Sequence, residues 1–178
     1  MKLKDYKFFL YYKKEEEWIN AMAAKGYNLI DCLFFRYLFE DGMPGEYGYK
    51  IDLVKASPKS LEGRDYLNFL SEMDIEVVDT LFRWVYLRKK VADGPFELYS
   101  DYPSIISQHR RIVKMIATVG LANIVVGLGN LSIAASVGTG VNAFISCINL
   151  GGGAILALVA YRHYKSLKIL EKESQVHE

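Results

Sequence analysis

Cysteine is almost absent: Cys32 and Cys147 are the two in 178 residues. Cys32 falls in a strand-like run and Cys147 deep in an apolar one, so the two are not expected to meet. That excludes a disulfide framework and fits a reducing cytoplasm. Histidine is scarce as well. His109, His163 and His177 lack the i, i+4 or Cys/His spacing of a metal site, so no metal is expected, and His109 and His163 read as part of a basic collar. Neither GxSxG nor HExxH occurs, and Gly151-Gly152-Gly153 follows apolar sequence with no acidic follower, which excludes a phosphate cradle. A net charge of only +1 lacks the concentrated excess of Lys and Arg that nucleic acid demands. The first residues, Met1 to Lys7, contain no uninterrupted apolar core and no small-residue cleavage site, so the soluble part is expected to stay on the side of synthesis. No internal repeat, low-complexity tract or Gly/Ser-rich linker stands out.

Charge is missing altogether from Met115 to Tyr161. A spanning helix needs roughly 20 mostly apolar residues, so this stretch holds two spans and a short turn at Val137-Gly138-Thr139-Gly140. Arg110, Arg111 and Lys114 precede the first span, Arg162, Lys165 and Lys168 follow the second, and the turn has no basic residue. The positive-inside rule then puts both termini in the cytoplasm, in a multi-pass arrangement within the lipid bilayer. The expected division is a soluble domain over residues 1–103, a juxtamembrane helix and two-span hairpin over 104–168, and a polar tail over 169–178 that is expected to fray from Glu171 to Glu178.

Each span carries two asparagines at heptad spacing, Asn123 and Asn130, then Asn142 and Asn149. Asn130 and Asn149 lie at similar depth and are candidates for an amide-to-amide hydrogen bond between the spans. Gly127 and Gly129 fall level with Gly151, Gly152 and Gly153, while Ala143, Cys147 and Gly151 form a small-residue ladder that would let two backbones approach. Without ionisable groups in the spans, packing explains the asparagines better than a conducting path.

Before the spans, periodicity alternates between two and 3.6. Tyr6 to Tyr12 reads as a strand. Lys13 to Lys25 reads as a helix, with acidic residues in its first turn and Gly26 as its stop. Tyr27 to Phe39 reads as one strand and Glu46 to Leu53 as another. A second helix carries Tyr66, Leu67, Leu70 and Met73 and is closed by Asp74, and a last long strand ends at Lys90. That order, in the α+β class, predicts a ferredoxin-like βαββαβ module, or a looser α+β domain with the same elements. Phe96 to Tyr99 is a candidate edge strand. Asp101-Tyr102-Pro103-Ser104 reads as a helix start, from which a helix is expected to run unbroken into the first span.

Aromatics are dense: Tyr11, Tyr12, Phe34, Phe35, Tyr37, Tyr47, Tyr49, Phe82, Trp84 and Tyr86 exceed what one small core absorbs when strand side chains alternate. Either one sheet face is an aromatic platform for a ligand or second subunit, or Phe96 to Tyr99 covers it. Trp18, Tyr47, Tyr49, Trp84 and Tyr86 are the candidate ligand or partner surface. Asn123, Gly127, Asn130, Asn149 and Gly151 are the candidate packing residues of the spans. Asp31, Asp52 and Asp79 could form a carboxylate site, but beside Arg36, Lys50 and Arg83 they read better as paired or solvated. No catalytic residue and no cofactor is expected.

Glu17-Trp18-Ile19-Asn20-Ala21-Met22-Ala23-Ala24-Lys25-Gly26-Tyr27, Pro44-Gly45-Glu46-Tyr47-Gly48-Tyr49-Lys50-Ile51-Asp52 and Phe96-Glu97-Leu98-Tyr99-Ser100-Asp101 together resemble a bacterial family, domain of unknown function 2812. The likeness runs from about Phe8 to Ser104. It implies a bacterial cell inner-membrane protein with a membrane hairpin, encoded beside PadR-like regulators and placed in an envelope-stress or drug-response circuit. It implies no catalytic residues. The expected function is a membrane-anchored cytoplasmic binding or sensing module, regulatory and non-catalytic, with a protein partner or homo-oligomer. The alternative is an accessory subunit of a transporter-like complex that assembles through its hairpin.

Overall fold

The computed structural model describes residues 2–176, which divide into two compact units at Ser100/Asp101. The first unit contains β1 (Lys2–Tyr6), α1 (Tyr12–Ala23), β2 (Tyr27–Leu33) and β3 (Arg36–Asp41). It then repeats the pattern with β4 (Tyr47–Leu53), α2 (Leu61–Glu72), β5 (Glu76–Leu81) and β6 (Trp84–Lys90). Each set makes its own three-stranded antiparallel sheet, ordered β1-β3-β2 and β4-β6-β5. The α+β class holds, but two sheets replace the single sheet of a ferredoxin-like βαββαβ module, and the chain does contain a repeat.

The extra strands come from two hairpin turns without turn residues. Phe34 and Phe82 sit at φ 53° and 56°, left-handed positions that sequence ordinarily marks with Gly or Asn. The runs 27–39 and 75–90 therefore read as single strands although each is a hairpin. Matching details confirm the repeat. A bulge interrupts β2 between Leu29 and Asp31 and β5 between Val77 and Asp79. Beside the two turns, Lys7 N donates to Phe35 O at 2.8 Å and Val54 N to Arg83 O at 3.0 Å.

The expected strand at Tyr6 to Tyr12 ends at Tyr6, where β1 runs out of β3 partner. Phe9 and Tyr12 turn onto the core instead. Helix α1 stops as expected, with Gly26 at φ 88°, and a Cβ there would approach Gly42 O to 2.9 Å. In α2 Ser60 caps Gly63 N at 3.1 Å and Asp74 closes the helix at φ 59°.

Helix α1 lies between the sheets. Its Ile19 and Met22 share one core with Leu29, Tyr37 and Phe39 of the first sheet and Tyr49, Ile51 and Tyr86 of the second. It also closes an edge. Asn20 accepts from Tyr49 N at 2.9 Å and donates to Tyr49 O at 3.0 Å, and Glu16 accepts from Ile51 N at 2.8 Å, so side chains complete the outer backbone groups of β4. Helix α2 packs on the far face of the second sheet with Val85 and Leu87. Phe96 and Leu98 join that second cluster as irregular chain rather than the expected edge strand.

The second unit is α3 (Tyr102–Val137) and α4 (Gly140–Val176), joined at Gly138 with φ 74°. Asp101 caps α3, accepting from Ser104 N at 2.9 Å. Helix α3 is unbroken, as expected, and at 36 residues it is about 54 Å long against a hydrocarbon core of about 30 Å. Both helices are long and apolar enough to cross a membrane by length and composition. Helix α4 continues to Val176, and Glu171 ties it across by accepting from Arg110 and Lys168, each at 2.8 Å. His177 lies outside the described residues.

The helices meet on one small-residue face, buried at Gly120 and Gly127 of α3 and Ser146 and Gly153 of α4. A Cβ on Gly127 would come within 2.8 Å of Leu150, and one on Gly153 within 2.6 Å of Ile124. Gly127 thus packs as expected. Gly151, together with Gly129 and Gly152, faces open space, and the Ala143, Cys147, Gly151 ladder is exposed. The expected Asn130/Asn149 bond is not made. Asn123, Asn130 and Asn149 each donate to the carbonyl four residues back, at 2.9 Å, so each amide is satisfied within its own helix.

Candidate functional site

Of the aromatic residues expected on an open platform, Tyr37, Tyr49 and Tyr86 are buried, Tyr11, Tyr12, Tyr47 and Trp84 are half-buried, and Phe34, Phe35 and Phe82 are exposed. Tyr49 is buried, its hydroxyl accepting from Leu29 N at 3.0 Å, and Tyr86 is buried, its hydroxyl donating to Glu15 at 2.7 Å. Trp18 meets Tyr37 edge-on at 4.8 Å, Trp84 meets Tyr12 at 5.5 Å, and Arg88 lies 4.4 Å over Tyr47. Within the candidate ligand surface, Tyr49 and Tyr86 are buried in the core, while Trp18, Tyr47 and Trp84 are half-buried and pack against it. Each sheet lies against a helix on its core face, and the second has α1 on its other face, which takes up the rings.

A polar knot sits inside this packing. Glu15 of α1 is 9% exposed, and its Oε1 accepts from Tyr37 of the first sheet at 2.8 Å and from Tyr86 of the second at 2.7 Å. Burial raises its pKa, and the two phenols, by favouring the carboxylate, oppose that shift. Burial also raises the pKa of both phenols, with the Glu15 charge adding to it, so both remain donors. The Cys32 thiol beside Tyr86 is pushed up to about 12, chiefly by burial. In native protein carrying Cys147→Ser, Cys32 is expected to react with a maleimide at least about a thousandfold more slowly than a free thiol, since thiolate fraction falls tenfold per pKa unit. Mass spectrometry of the intact chain before and after denaturation checks this.

The three aspartates are committed to structural bonds. Asp31 accepts from Arg36 at 2.6 Å. Asp79 accepts from Cys32 N at 2.7 Å and Thr80 N at 2.6 Å. Asp52, fully buried, accepts from Tyr99 at 2.8 Å and so holds the segment that leads out of the domain.

The unexpected feature is at the turns. The Asp79 to Cys32 bond joins β5 to β2 side by side, and Phe34 and Phe82 meet edge-on at 6.3 Å, so both hairpin tips point the same way. There Phe34, Phe35 and Phe82 are 58%, 57% and 78% exposed, with Leu33, Tyr6 and Phe8 exposed nearby. The sequence carried a signal for this: Asp31-Cys32-Leu33-Phe34 recurs as Asp79-Thr80-Leu81-Phe82.

What fold and surface define together is a two-sheet α+β domain followed in the chain by a pair of long apolar helices. The chain belongs to the family described as "Protein of unknown function (DUF2812)", which matches residues 11–121 and so extends well into α3. No curated protein and no solved structure matches it.

Proposed function

We propose that this chain is a membrane-anchored binding module of a bacterial inner membrane, regulatory and without a reaction of its own. Both termini lie in the cytoplasm, a placement supported by the basic residues that flank the apolar stretch and are missing from its turn. The observation that carries the reading is the cluster of exposed Phe34, Phe35 and Phe82 at two hairpin tips that the fold holds side by side. Bulky rings at positive φ cost conformational energy, and they project outward where burial would have been the stabilising choice. A contact surface accounts for that.

A photoreactive benzoylphenylalanine in place of Phe35, in full-length protein in native membranes, is expected to form adducts, whereas the same group in place of Lys89 is not. Converting both Phe34 and Phe82 to Asp should abolish the adducts while leaving the circular dichroism spectrum unchanged. Equal, negligible adduct at both positions would sink the reading.

The accessory-subunit alternative draws support from the exposed Ala143, Cys147 and Gly151 face. If assembly runs through that face, Gly151→Leu in the full chain removes the partner recovered in mild detergent and the tip substitutions do not.

A further inference from the structure

We infer that the outer flank of α2 binds an acidic edge strand of a partner protein, in the way α1 binds β4. The inference is independent of the hairpin tips and rests on the internal repeat. Helices α1 and α2 end with the same pair of bonds. Lys25 N donates to Met22 O and Gly26 N to Ala23 O, at 3.0 Å and 2.9 Å; Met73 N donates to Leu70 O and Asp74 N to Ser71 O, at 3.0 Å and 3.2 Å. Gly26 and Asp74 both take positive φ. Counted back from these stops, Asn20 matches Asn68 and Glu16 matches Arg64.

In the first unit those positions hold a strand. The Asn20 amide bonds both backbone groups of Tyr49, and Glu16 accepts from Ile51 N while pairing with Lys50 at 3.2 Å. A primary amide can do this because it offers the donor and acceptor that a neighbouring strand would offer. In the second unit Asn68 and Arg64 are exposed. Among the described residues the Asn68 side chain makes no bond and Arg64 no ion pair, and no acid stands three or four residues from Arg64 along α2.

Beside these positions α2 is apolar where α1 is not. Leu61, Phe69 and Met73 are 72%, 53% and 40% exposed, at positions where α1 faces water with Lys13, Ala21 and Lys25. A partner broader than one strand covers them, as an edge strand backed by its own sheet would. Charge selects that strand. Arg64 has no acceptor for a strand N–H, but it meets a carboxylate where Glu16 meets Lys50. Glu62 is taken up by Lys55, and Asp65 and Glu72 lie on the other side of Asn68 from Arg64 around the helix. A second copy fits less well. Its matching edge, β1, has Lys2 and Lys4 where β4 has Tyr49 and Ile51, and would set lysine against Arg64.

The probe is a fluorescein-labelled hairpin built from residues 47–53 and 84–90 of this chain, which pair as β4 and β6. Its strands are joined by Asn-Gly, closed by a disulfide across the ends, and carry Lys50→Glu. The hairpin is titrated with full-length protein in nanodiscs, with empty discs as the blank. Saturable binding is expected, weakened about tenfold by Asn68→Ala, the scale of two hydrogen bonds. Arg64→Glu should weaken it about fivefold and bring up binding of the hairpin that keeps Lys50. Both substitutions are at exposed positions and should leave the circular dichroism spectrum unchanged. No saturable binding, or the same affinity in Asn68→Ala, overturns the inference. A hairpin that keeps Lys50 and binds the wild type more tightly than the Lys50→Glu form overturns it too, in favour of a second copy seated through β1. None of these outcomes bears on the tips, which stand or fall with the Phe35 photo-adduct.

Discussion

Glu15→Ala is expected to destabilise the α+β domain by about 2–5 kcal/mol, the scale of leaving two buried phenol hydroxyls without an acceptor. The substitution leaves the hydroxyls of Tyr37 and Tyr86 without their acceptor inside the core and removes a side chain that bonds to both sheets. Denaturant unfolding followed at the tryptophans would measure it. Trp18 and Trp84 both pack against the same cluster, so both report on the packing that is lost. Tyr86→Phe removes one donor but leaves the second bond, so it should cost nearer 1 kcal/mol.

The same carboxyl sets a pH dependence. Its pKa in the folded protein is raised, so the neutral form fits the fold better than the charged form. The stability it contributes is fully present below the unfolded value and is lost as pH rises through the folded one. Relative to Glu15→Gln, which cannot titrate, the wild-type domain should gain thermal stability as pH falls through the raised value toward the ordinary carboxylate range. A parallel pair of melting curves would contradict this.

The second large effect is in the helices. Gly153→Leu is expected to destabilise the α3/α4 pair by about 2–3 kcal/mol, because a side chain there must displace Ile124 and the Gly120 carbonyl, 3.1 Å from where its Cβ would lie. Gly151→Leu, two residues away, meets nothing within 4 Å and should be neutral for the pair. Unfolding by added SDS in mixed micelles separates the two variants. Equal midpoints would place the crossing on a different face from the one described.

The helices, their stops and the long uncharged stretch were legible because each rests on a local signal: Gly26 and Asp74 after amphipathic runs, Asp101 before Pro103, no charge from Met115 onward. The hairpins were not, since Phe34 and Phe82 occupy turn positions with residues typical of strands, so two pairs of strands merged into single runs. That error hid the repeat and with it the site. Tyr49 and Tyr86 read as surface if one sheet with one covered face is expected, whereas α1 between two sheets buries both. The asparagines misled for a different reason: spacing gives the depth of a side chain, but an amide that bonds its own helix needs no partner across it.

The two copies of the strand-helix-strand-strand unit differ where they end. On the face of the second sheet turned toward α1 stand Tyr49, Ile51, Trp84 and Tyr86. The matching positions of the first sheet are Lys2, Lys4, Arg36 and Leu38. A stack of such units grows by laying the apolar back of one sheet over the helix of the unit before it, as α1 receives the second sheet. A back that carries two lysines and an arginine offers no apolar bed for another helix, and Phe96 and Leu98 pack on the cluster that α2 makes with the second sheet. Among the described residues the domain is in this sense an array of two units, with lysine and arginine on the outward back of the first sheet and the chain that leads out to the helices packed beside the second.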